Sequence, residues 1–454
     1  MNMDRLLEKY NLPVPRYTSY PTVPFWYALE NTSSWTDTFR QNFHQQNKEG
    51  GISLYIHLPF CESLCTYCGC NKKITTNHSV EEVYISAVLK EWKLYCELMD
   101  EKPVIRELHL GGGTPTFFSP QNLKNLLTGI FKTSVIHPDH EFGFEGHPNN
   151  TTAAHLQTLR DLGFKRISLG VQDTNDTVQR IINRIQPFEN VKRATNEARK
   201  FGFESVNFDL IYGLPLQTKE SIEKTIEECI SLHPDRIAFY SYAHVPWTSK
   251  AQRLFNEHDL PMASEKLELY KTGKRLFIQH GYVDIGMDHF ALRGDALYKA
   301  WTKNELHRNF MGYTTQKTNM LIGLGVSAIS DMGNAFAQNE KLLRNYYQAI
   351  ANDELAVVKG YFLNDEDIAF RKYILDISCT GRTIFRANHL NILREYSFPQ
   401  LKVLAEDGLV SWNEKGLVAT ETGRHFIRNI CNAFDLHYLR KEEVSNELRY
   451  SKAI

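Results

Sequence analysis

Ile52-Ser-Leu-Tyr-Ile-His-Leu-Pro-Phe-Cys61-Glu-Ser-Leu-Cys65-Thr-Tyr-Cys68-Gly-Cys70 runs from an apolar, β-branched stretch straight into a loop that holds four of the chain's eight cysteines. The first part reads as a buried strand and the second as a ligand loop at its C-terminal end. Cys61, Cys65 and Cys68 follow the spacing C-x3-C-x2-C. Three thiolates on one short loop can hold three irons of a cubane [4Fe-4S] cluster and leave the fourth open to a small ligand. Zinc would call for four N or S ligands, commonly as two separated pairs, and no second C-x2-C lies elsewhere. Cys70 admits two readings: a fourth ligand that closes the site, or a neighbour of the cluster. Its one-residue spacing from Cys68 strains joint ligation of one cubane and favours the neighbour.

Working outward, five more strand runs follow at Ile105 to Leu110, Glu141 to Glu145, Arg166 to Gly170, Ser205 to Leu210 and Arg236 to Tyr240. Amphipathic stretches separate them. In the first, Ile85, Leu89, Trp92, Cys96 and Met99 recur at helical spacing, which makes Cys96 a core residue; Cys229, in a later helix, reads the same way. Six strand-helix units predict an α/β fold with a parallel sheet, either an open doubly wound sheet or a partial TIM-type barrel. Gly111 to Gly113, Glu145, Gln172, Asp209 and Tyr242 each fall at or beyond the C-terminal end of a different strand, where barrel enzymes build their sites. That placement favours the barrel. Before it lies an irregular segment, residues 1–47, and beyond Leu363 a mostly helical region, residues 363–454, with a hairpin near Asn413 to Gly416 that suggests a winged-helix-like domain.

A chain of 454 residues with net charge -1 and a pI near 7.0 has no basic surplus for a nucleic-acid partner. No run of about 18 apolar residues occurs, so no membrane span is expected. Met1 to Tyr10 is charged and lacks an apolar secretory core, and crowded free thiols suit a reducing compartment, so a cytoplasmic location is expected.

Gly111-Gly-Gly-Thr-Pro-Thr116 offers side-chain-free backbone for close approach of a ligand and N–H groups for a carboxylate, although an ordinary tight turn has the same composition. It lacks the Lys-Ser/Thr of a P-loop. Glu145 and Asp209 can accept from ribose hydroxyls or an ammonium, or else cap helices; Gln172 and Arg184 add an amide and a carboxylate-binding fork. Together they describe a nucleoside with an amino-acid tail. Two loops, Pro15 to Thr22 and His307 to Thr315, carry Arg16, His307 and Arg308 for carboxylates and Tyr17, Tyr20, Phe310 and Tyr313 for a flat apolar ring, or are plain surface loops.

Tyr55-x-His57-x-Pro-Phe-Cys61-x3-Cys65-x-Tyr67-Cys68-x-Cys70 with Gly111-Gly-Gly-Thr-Pro115 resembles radical S-adenosylmethionine (SAM) enzymes. Arg16-Tyr-Thr-Ser-Tyr-Pro-Thr22, Gly170-Val-Gln-Asp173, Asp209-Leu-Ile-Tyr-Gly-Leu-Pro215, Gly286-Met-Asp-His-Phe290, His307-Arg-Asn-Phe-x-Gly-Tyr-Thr-Thr315 and Arg428-Asn-Ile-Cys431 narrow the resemblance, almost end to end, to the oxygen-independent coproporphyrinogen III oxidase family. The resemblance implies a partial (β/α)6 barrel over residues 48–362, an N-terminal substrate-covering segment over 1–47 and a C-terminal helical domain over 363–454. It implies a [4Fe-4S] cluster on Cys61, Cys65 and Cys68, with Cys70 needed but not a ligand, and two SAM molecules. Tyr55, Gly112, Glu145 and Ile329 would contact one; Tyr67, Gly113, Thr114, Gln172, Arg184, Asp209 and Ala243 would contact the other.

The implied reaction starts with reductive cleavage of SAM to methionine and a 5'-deoxyadenosyl radical. Hydrogen abstraction from a propionate β-carbon, then loss of CO2 and one electron, leaves a vinyl group, and two rounds convert coproporphyrinogen III to protoporphyrinogen IX. The implied partners are the substrate and a low-potential electron donor such as flavodoxin or ferredoxin, with the chain a monomer. Two departures from the family pattern stand out: Gly146-His147-Pro148 after Glu145, and Met311 inside the His307 block. The alternatives are a relative in haem trafficking or porphyrin-ring modification, and a non-catalytic cluster- or zinc-binding module.

Overall fold

In the computed structural model, residues 3–247, 249–316 and 318–440 are described. One 13-stranded sheet organises them. Its strands are β1 (Tyr27–Ala28), β2 (Ile52–Leu58), β3 (Val104–Gly112), β4 (Val135–Gly146), β5 (Phe164–Gln172), β6 (Ser205–Tyr212), β7 (Arg236–Ser241), β8 (Tyr282–Gly286), β9 (His289–Leu292), β10 (Leu321–Leu324), β11 (Ile329–Asp331), β12 (Ala335–Asn339) and β13 (Val357–Phe362). They lie in the order β1-β13-β12-β11-β10-β2-β3-β4-β5-β6-β7-β9-β8. The six expected strands, β2 to β7, pair in parallel and in sequence order. The α/β class and the serial strand-helix plan therefore hold. A seventh parallel strand, β10, lies beside β2; its apolar stretch is only four residues long and was not among the six. Antiparallel pairs flank the parallel block on both sides.

Alternation along these strands sorts the side chains. Leu54, Ile56, Leu108, Leu110, Phe142, Phe144, Ile167, Leu169, Val206, Phe208, Ile237 and Phe239 enter the main apolar core, each nearly without exposure. The helix Val80–Cys96 packs on that core through Ile85, Val88, Trp92 and Tyr95. Leu89, Cys96 and Met99 sit at its edge, as the stripe predicts. Removing any of the large core groups would cost roughly 2–5 kcal/mol through lost transfer energy and the cavity left behind.

The alternate residues of the same strands are polar and meet across the other face. Ser53 donates to Glu107 (2.7 Å) across the register pair β2–β3, and Arg166 faces Glu141 (3.2 Å). Thr314 donates to Glu107 (2.5 Å) and Thr315 to Glu141, so the segment after the hairpin His307–Asn309/Gly312–Thr314 plugs this polar layer. Burial pushes Glu107 up to about 7, opposed by those hydroxyl bonds. At Glu141 burial acts in the same sense, but Arg166 and Arg236 outweigh it and hold the carboxyl low.

A second core joins the chain's two ends. Leu6, Leu7, Tyr10, Tyr17 and Tyr20 pack with Phe370, Tyr373, Ile374, Ile430 and Phe434. The region beyond Leu363 holds the helix Asp365–Thr380 and a three-stranded antiparallel sheet of Arg382–Ile384, Gly416–Ala419 and Val410–Asn413, which contains the expected hairpin. Two expectations need correction. The helix Ser33–Glu49 buries Trp35, Phe39 and Phe43 in the main core, so residues 33–47 pack on the 13-stranded sheet, and the boundary at 47 cuts the helix's last turn. Tyr17 and Tyr20 are 2% exposed; Tyr17 donates to Asn432 (2.9 Å) and Asp435 (3.1 Å), and the Tyr20 hydroxyl accepts from the Leu436 N–H, so neither is open to a ring.

Candidate functional site

The cysteine loop leaves β2 and is tied on both sides. Lys73 N–H donates to Pro59 O (2.8 Å), Thr75 N–H to Cys61 O (2.9 Å), Thr66 N–H to Ile182 O (3.0 Å) and Asn183 Nδ2 to Leu64 O (2.8 Å). His57 donates through Nε2 to Asn71 O (2.8 Å) and accepts at Nδ1 from the Tyr55 hydroxyl (3.2 Å), which braces both ends of the loop against the strand. So held, Cys61, Cys65, Cys68 and Cys70 line one cavity of about 310 Å³.

The same cavity is lined by Tyr67, Gly112, Gly113, Thr114, Glu145 and Gln172, and by Arg184 and Asp209. Gly112, Glu145, Gln172 and Asp209, from β3 to β6 and far apart in sequence, meet there as the C-terminal-end argument requires. Tyr55, Ala243 and Ile329 stand outside that lining. Tyr55 stacks on His109 and lies beneath Gly111, where a Cβ would stand 2.9 Å from both its ring and Glu145 Oε1. The Ala243 carbonyl shares the Gln252 amide with Tyr67 O (3.1 and 3.3 Å). Ile329 carries its backbone against Gly323, the register partner of Tyr55.

The glycine turn departs from expectation. A Cβ on Gly112 would stand 2.6 Å from the His57 ring and one on Gly113 2.6 Å from the Pro59 carbonyl. Gly112 N–H donates to Glu145 (3.2 Å), Gly113 N–H to Leu58 O (2.8 Å) and Thr114 N–H to Phe60 O (3.0 Å). These glycines are required by packing on the cysteine loop, and their N–H groups are used within the chain rather than offered to a ligand. Gly112 also needs φ 113°, open to glycine alone in practice.

Several groups bear on the thiols directly. Thr114 Oγ1 lies 3.3 Å from Cys61 Sγ, Arg184 Nη1 3.6 Å from Cys65 Sγ, and Lys72 Nζ donates to the Cys68 and Cys70 carbonyls (3.0 and 3.4 Å). A hydrogen bond from Cys70, helped by Lys72, pulls the Cys68 thiol down to about 6, the direction metal ligation needs. Arg184 also grips Gly170 O (2.5 Å), while its Nε is buried without a partner. Gln172 holds φ 68°, a backbone setting rare for a side chain of its size and common at sites that aim a group. Ser168 and Asn207 donate to Asp209 (2.8 and 2.9 Å). Burial lifts the Asp209 carboxyl to about 6. Burial also acts on Glu145, but His109 (3.5 Å) and the Gly112 N–H hold it below the usual range; the 43% of its side chain left open faces the cavity. Three thiols, an unpartnered guanidinium N–H and two carboxylates around one cavity fit an iron-sulfur cluster with one open iron beside a zwitterionic nucleoside.

Sequence reasoning passed over Lys72, Ser168 and Asn149, which also line this cavity and carry no motif signal, and noted His147 only as a departure. His147 accepts from Asn149 N–H at Nδ1 (3.2 Å), and burial keeps its ring neutral.

Cys70 also lines a second cavity, of about 500 Å³. Arg16, Arg308 and Phe310 are there as expected, with Met311 beside them. His307 and Tyr313 are not part of its lining; Tyr313 is 5% exposed and donates to Ser378 O (2.6 Å). Arg428, Asp288, Tyr212 and Tyr240 complete it and were missed. Arg428 and Asp288 lie inside stretches quoted for resemblance, but neither spacing nor composition gave them a role.

The chain resembles known proteins over nearly its whole length. The radical SAM superfamily profile matches residues 55–229. The chain is 41% identical over 443 residues to an oxygen-independent coproporphyrinogen III oxidase of Salmonella typhimurium, covering 96% of this chain and 95% of that one. It is 39% identical to the Helicobacter pylori enzyme of the same name, with 98% of each covered. The solved structure of the coproporphyrinogen III oxidase of Escherichia coli, described as a radical SAM enzyme, superposes with a TM-score of 0.88 at 38% identity over 96% of this chain and 99% of that one. A cysteine loop, a strand-end pocket and a fold shared at this level over nearly the whole length have one explanation: the chain belongs to the oxygen-independent coproporphyrinogen III oxidase family of radical SAM enzymes.

Proposed function

We propose that this chain converts coproporphyrinogen III to protoporphyrinogen IX without oxygen, by oxidative decarboxylation of two propionate side chains. The observation that carries the substrate is Arg308. It is 8% exposed, lines the second cavity, and its Nε and Nη1 are buried with no hydrogen-bond partner. A buried guanidinium with two idle donors costs several kcal/mol unless a ligand completes it. A propionate carboxylate does so. Arg16 and Arg428 line the same cavity, giving further carboxylate partners, while Tyr212, Tyr240, Phe310 and Met311 offer apolar surface to the ring.

With a reduced [4Fe-4S] cluster and SAM bound, the first cavity would host one-electron cleavage of the sulfonium to methionine and a 5'-deoxyadenosyl radical. The chain's own residues bind and orient. Cys61, Cys65 and Cys68 hold the cluster; Tyr55, Gly112, Glu145 and Ile329 serve one SAM, and Tyr67, Gly113, Thr114, Gln172, Arg184, Asp209 and Ala243 a second. Cys70, which lines both cavities, stands at the passage between radical source and substrate without ligating iron. No general base is required for the C–H step. A low-potential donor such as flavodoxin or ferredoxin would feed electrons to a monomer.

The test is an anaerobic assay of the reconstituted, reduced protein with coproporphyrinogen III and SAM, following protoporphyrin and 5'-deoxyadenosine together. Both products are expected. 5'-Deoxyadenosine without protoporphyrin would remove the substrate assignment and keep the radical chemistry.

A further inference from the structure

A cavity built for a polyanion would be expected to carry cations alone, yet the second cavity keeps two carboxylates, Asp284 and Asp288. Asp284 is neutralised by Lys274 (2.8 Å). Asp288 is different. Arg16, Arg428 and Arg308 are near enough to oppose the rise that burial causes in its pKa, but no ion pair or side-chain hydrogen bond links it to them or to any other described residue. Its carboxylate is therefore available to a ligand.

The backbone aims it. Gly286, Met287 and Asp288 have φ of 120°, 41° and 71° in the two-residue turn between β8 and β9. Positive φ at both turn residues is the geometry of a tight hairpin, but such turns ordinarily take Asn or Asp followed by Gly. Placing Met and Asp there costs conformational energy that another requirement must offset. Phe239 N–H donates to the Asp288 carbonyl (2.7 Å) and fixes the turn against β7.

An anionic acceptor in an anion-binding cavity calls for uncharged donors on the ligand. A porphyrinogen supplies them: its sp³ bridges let all four pyrroles tilt their N–H groups toward one side of the ring. An oxidised porphyrin of the same periphery is flat and has two N–H groups and two lone-pair nitrogens, which repel a carboxylate. We infer that Asp288 accepts from the inner pyrrole N–H groups of the bound macrocycle and makes the cavity select the reduced porphyrinogen over the oxidised porphyrin. This rests on the substrate reading above and deepens it. The arginines recognise the rim, which both ring states share; Asp288 recognises the centre, where they differ.

The experiment is anaerobic equilibrium binding of coproporphyrinogen III and of coproporphyrin III to the cluster-reconstituted protein and to Asp288→Asn, with iron content and SAM affinity measured on both. Asn accepts the same positive φ, so the turn is kept. Wild type should prefer the reduced ring. The variant should lose about tenfold or more of its affinity for the reduced ring, the size of one charge-assisted hydrogen bond, while porphyrin binding holds or improves. An unchanged preference in Asp288→Asn, or an equal loss for both rings, would overturn the inference and leave the substrate reading standing. Wild type binding neither ring would overturn both.

Discussion

The two cavities that meet at Cys70 are built in opposite ways. The first comes from the cysteine loop and the consecutive ends of β3 to β6, a single stretch between residues 61 and 209. The second is gathered from Met3, Leu7 and Arg16 early in the chain, the turn after β8, the hairpin at Arg308 to Gly312, and Arg424 to Arg428 late in it. The difference teaches where each kind of information resides. Radical generation needs a fixed constellation on adjacent strands, and adjacent strands in a serial parallel sheet are close in sequence. Recognition of a large, flat, many-armed molecule needs groups on all sides, and those come from wherever the fold brings chain to that end of the sheet.

If the two halves are separable, damage to one should leave the other's binding intact. The largest effect is expected for Cys65→Ser: iron and acid-labile sulfide fall away and turnover is lost by at least about a thousandfold, while tetrapyrrole binding persists; a full cluster in this variant would break the ligand assignment. Arg308→Ala should do the reverse. Losing a buried charged donor with no other partner is worth roughly 1.5–3 kcal/mol, so coproporphyrinogen affinity should drop about 10–100-fold while SAM affinity and cluster content stay level. Parallel loss of SAM binding there would show that the cavities are one unit.

Arg184→Ala should weaken SAM binding by about tenfold with the cluster retained, since Arg184 meets Cys65 Sγ only at 3.6 Å. Isothermal titration with unchanged SAM affinity would remove it from the site. The smallest effect sharpens the comparison at its foundation, the polar layer plugged by Thr314. Glu107 has its carboxyl raised from 4.5 to about 7 by burial. A raised folded-state value stabilises the fold fully below the ordinary range and the benefit fades as pH climbs through about 7. Wild type should therefore lose on the order of 1–3 kcal/mol between pH 5 and 8 from this group, and Glu107→Gln should flatten that part of a thermal-melting profile; an unaltered slope would place the titration elsewhere.

The same contrast governs what was legible. Ser53, Glu107, His109, Glu141, Arg166 and Asp209 interleave with apolar neighbours at period two, so the strands and their polar face could be read from alternation, and the cysteine spacing named its own chemistry. β10 escaped because four residues give too little periodicity. The packing that demands glycine in the Gly111 to Gly113 turn was not legible, because the atoms that impose it, His57 and the Pro59 carbonyl, are some fifty residues earlier in the chain. Tyr17 and Tyr20 sit in a polar, aromatic loop composition that does not reveal whether a ring faces a ligand or a partner such as Asp435, more than 400 positions away. Arg428 and Asp288 were invisible as site residues for the same reason: nothing local distinguishes them from surface charges.

The joining of the two chain ends bears on how the protein is made. Tyr10 and Lys9 bind Asp407, Asn429 donates to Tyr10 O (3.0 Å), and Arg428 reaches the carbonyls of Val14 and Pro15. During synthesis the cysteine loop and β2 to β6 have emerged by residue 212, whereas Arg428, which holds the carbonyls just before Arg16, emerges more than two hundred positions later. Translation thus imposes an order: the loop of thiols and the strand ends around it exist before the chain that closes the second cavity.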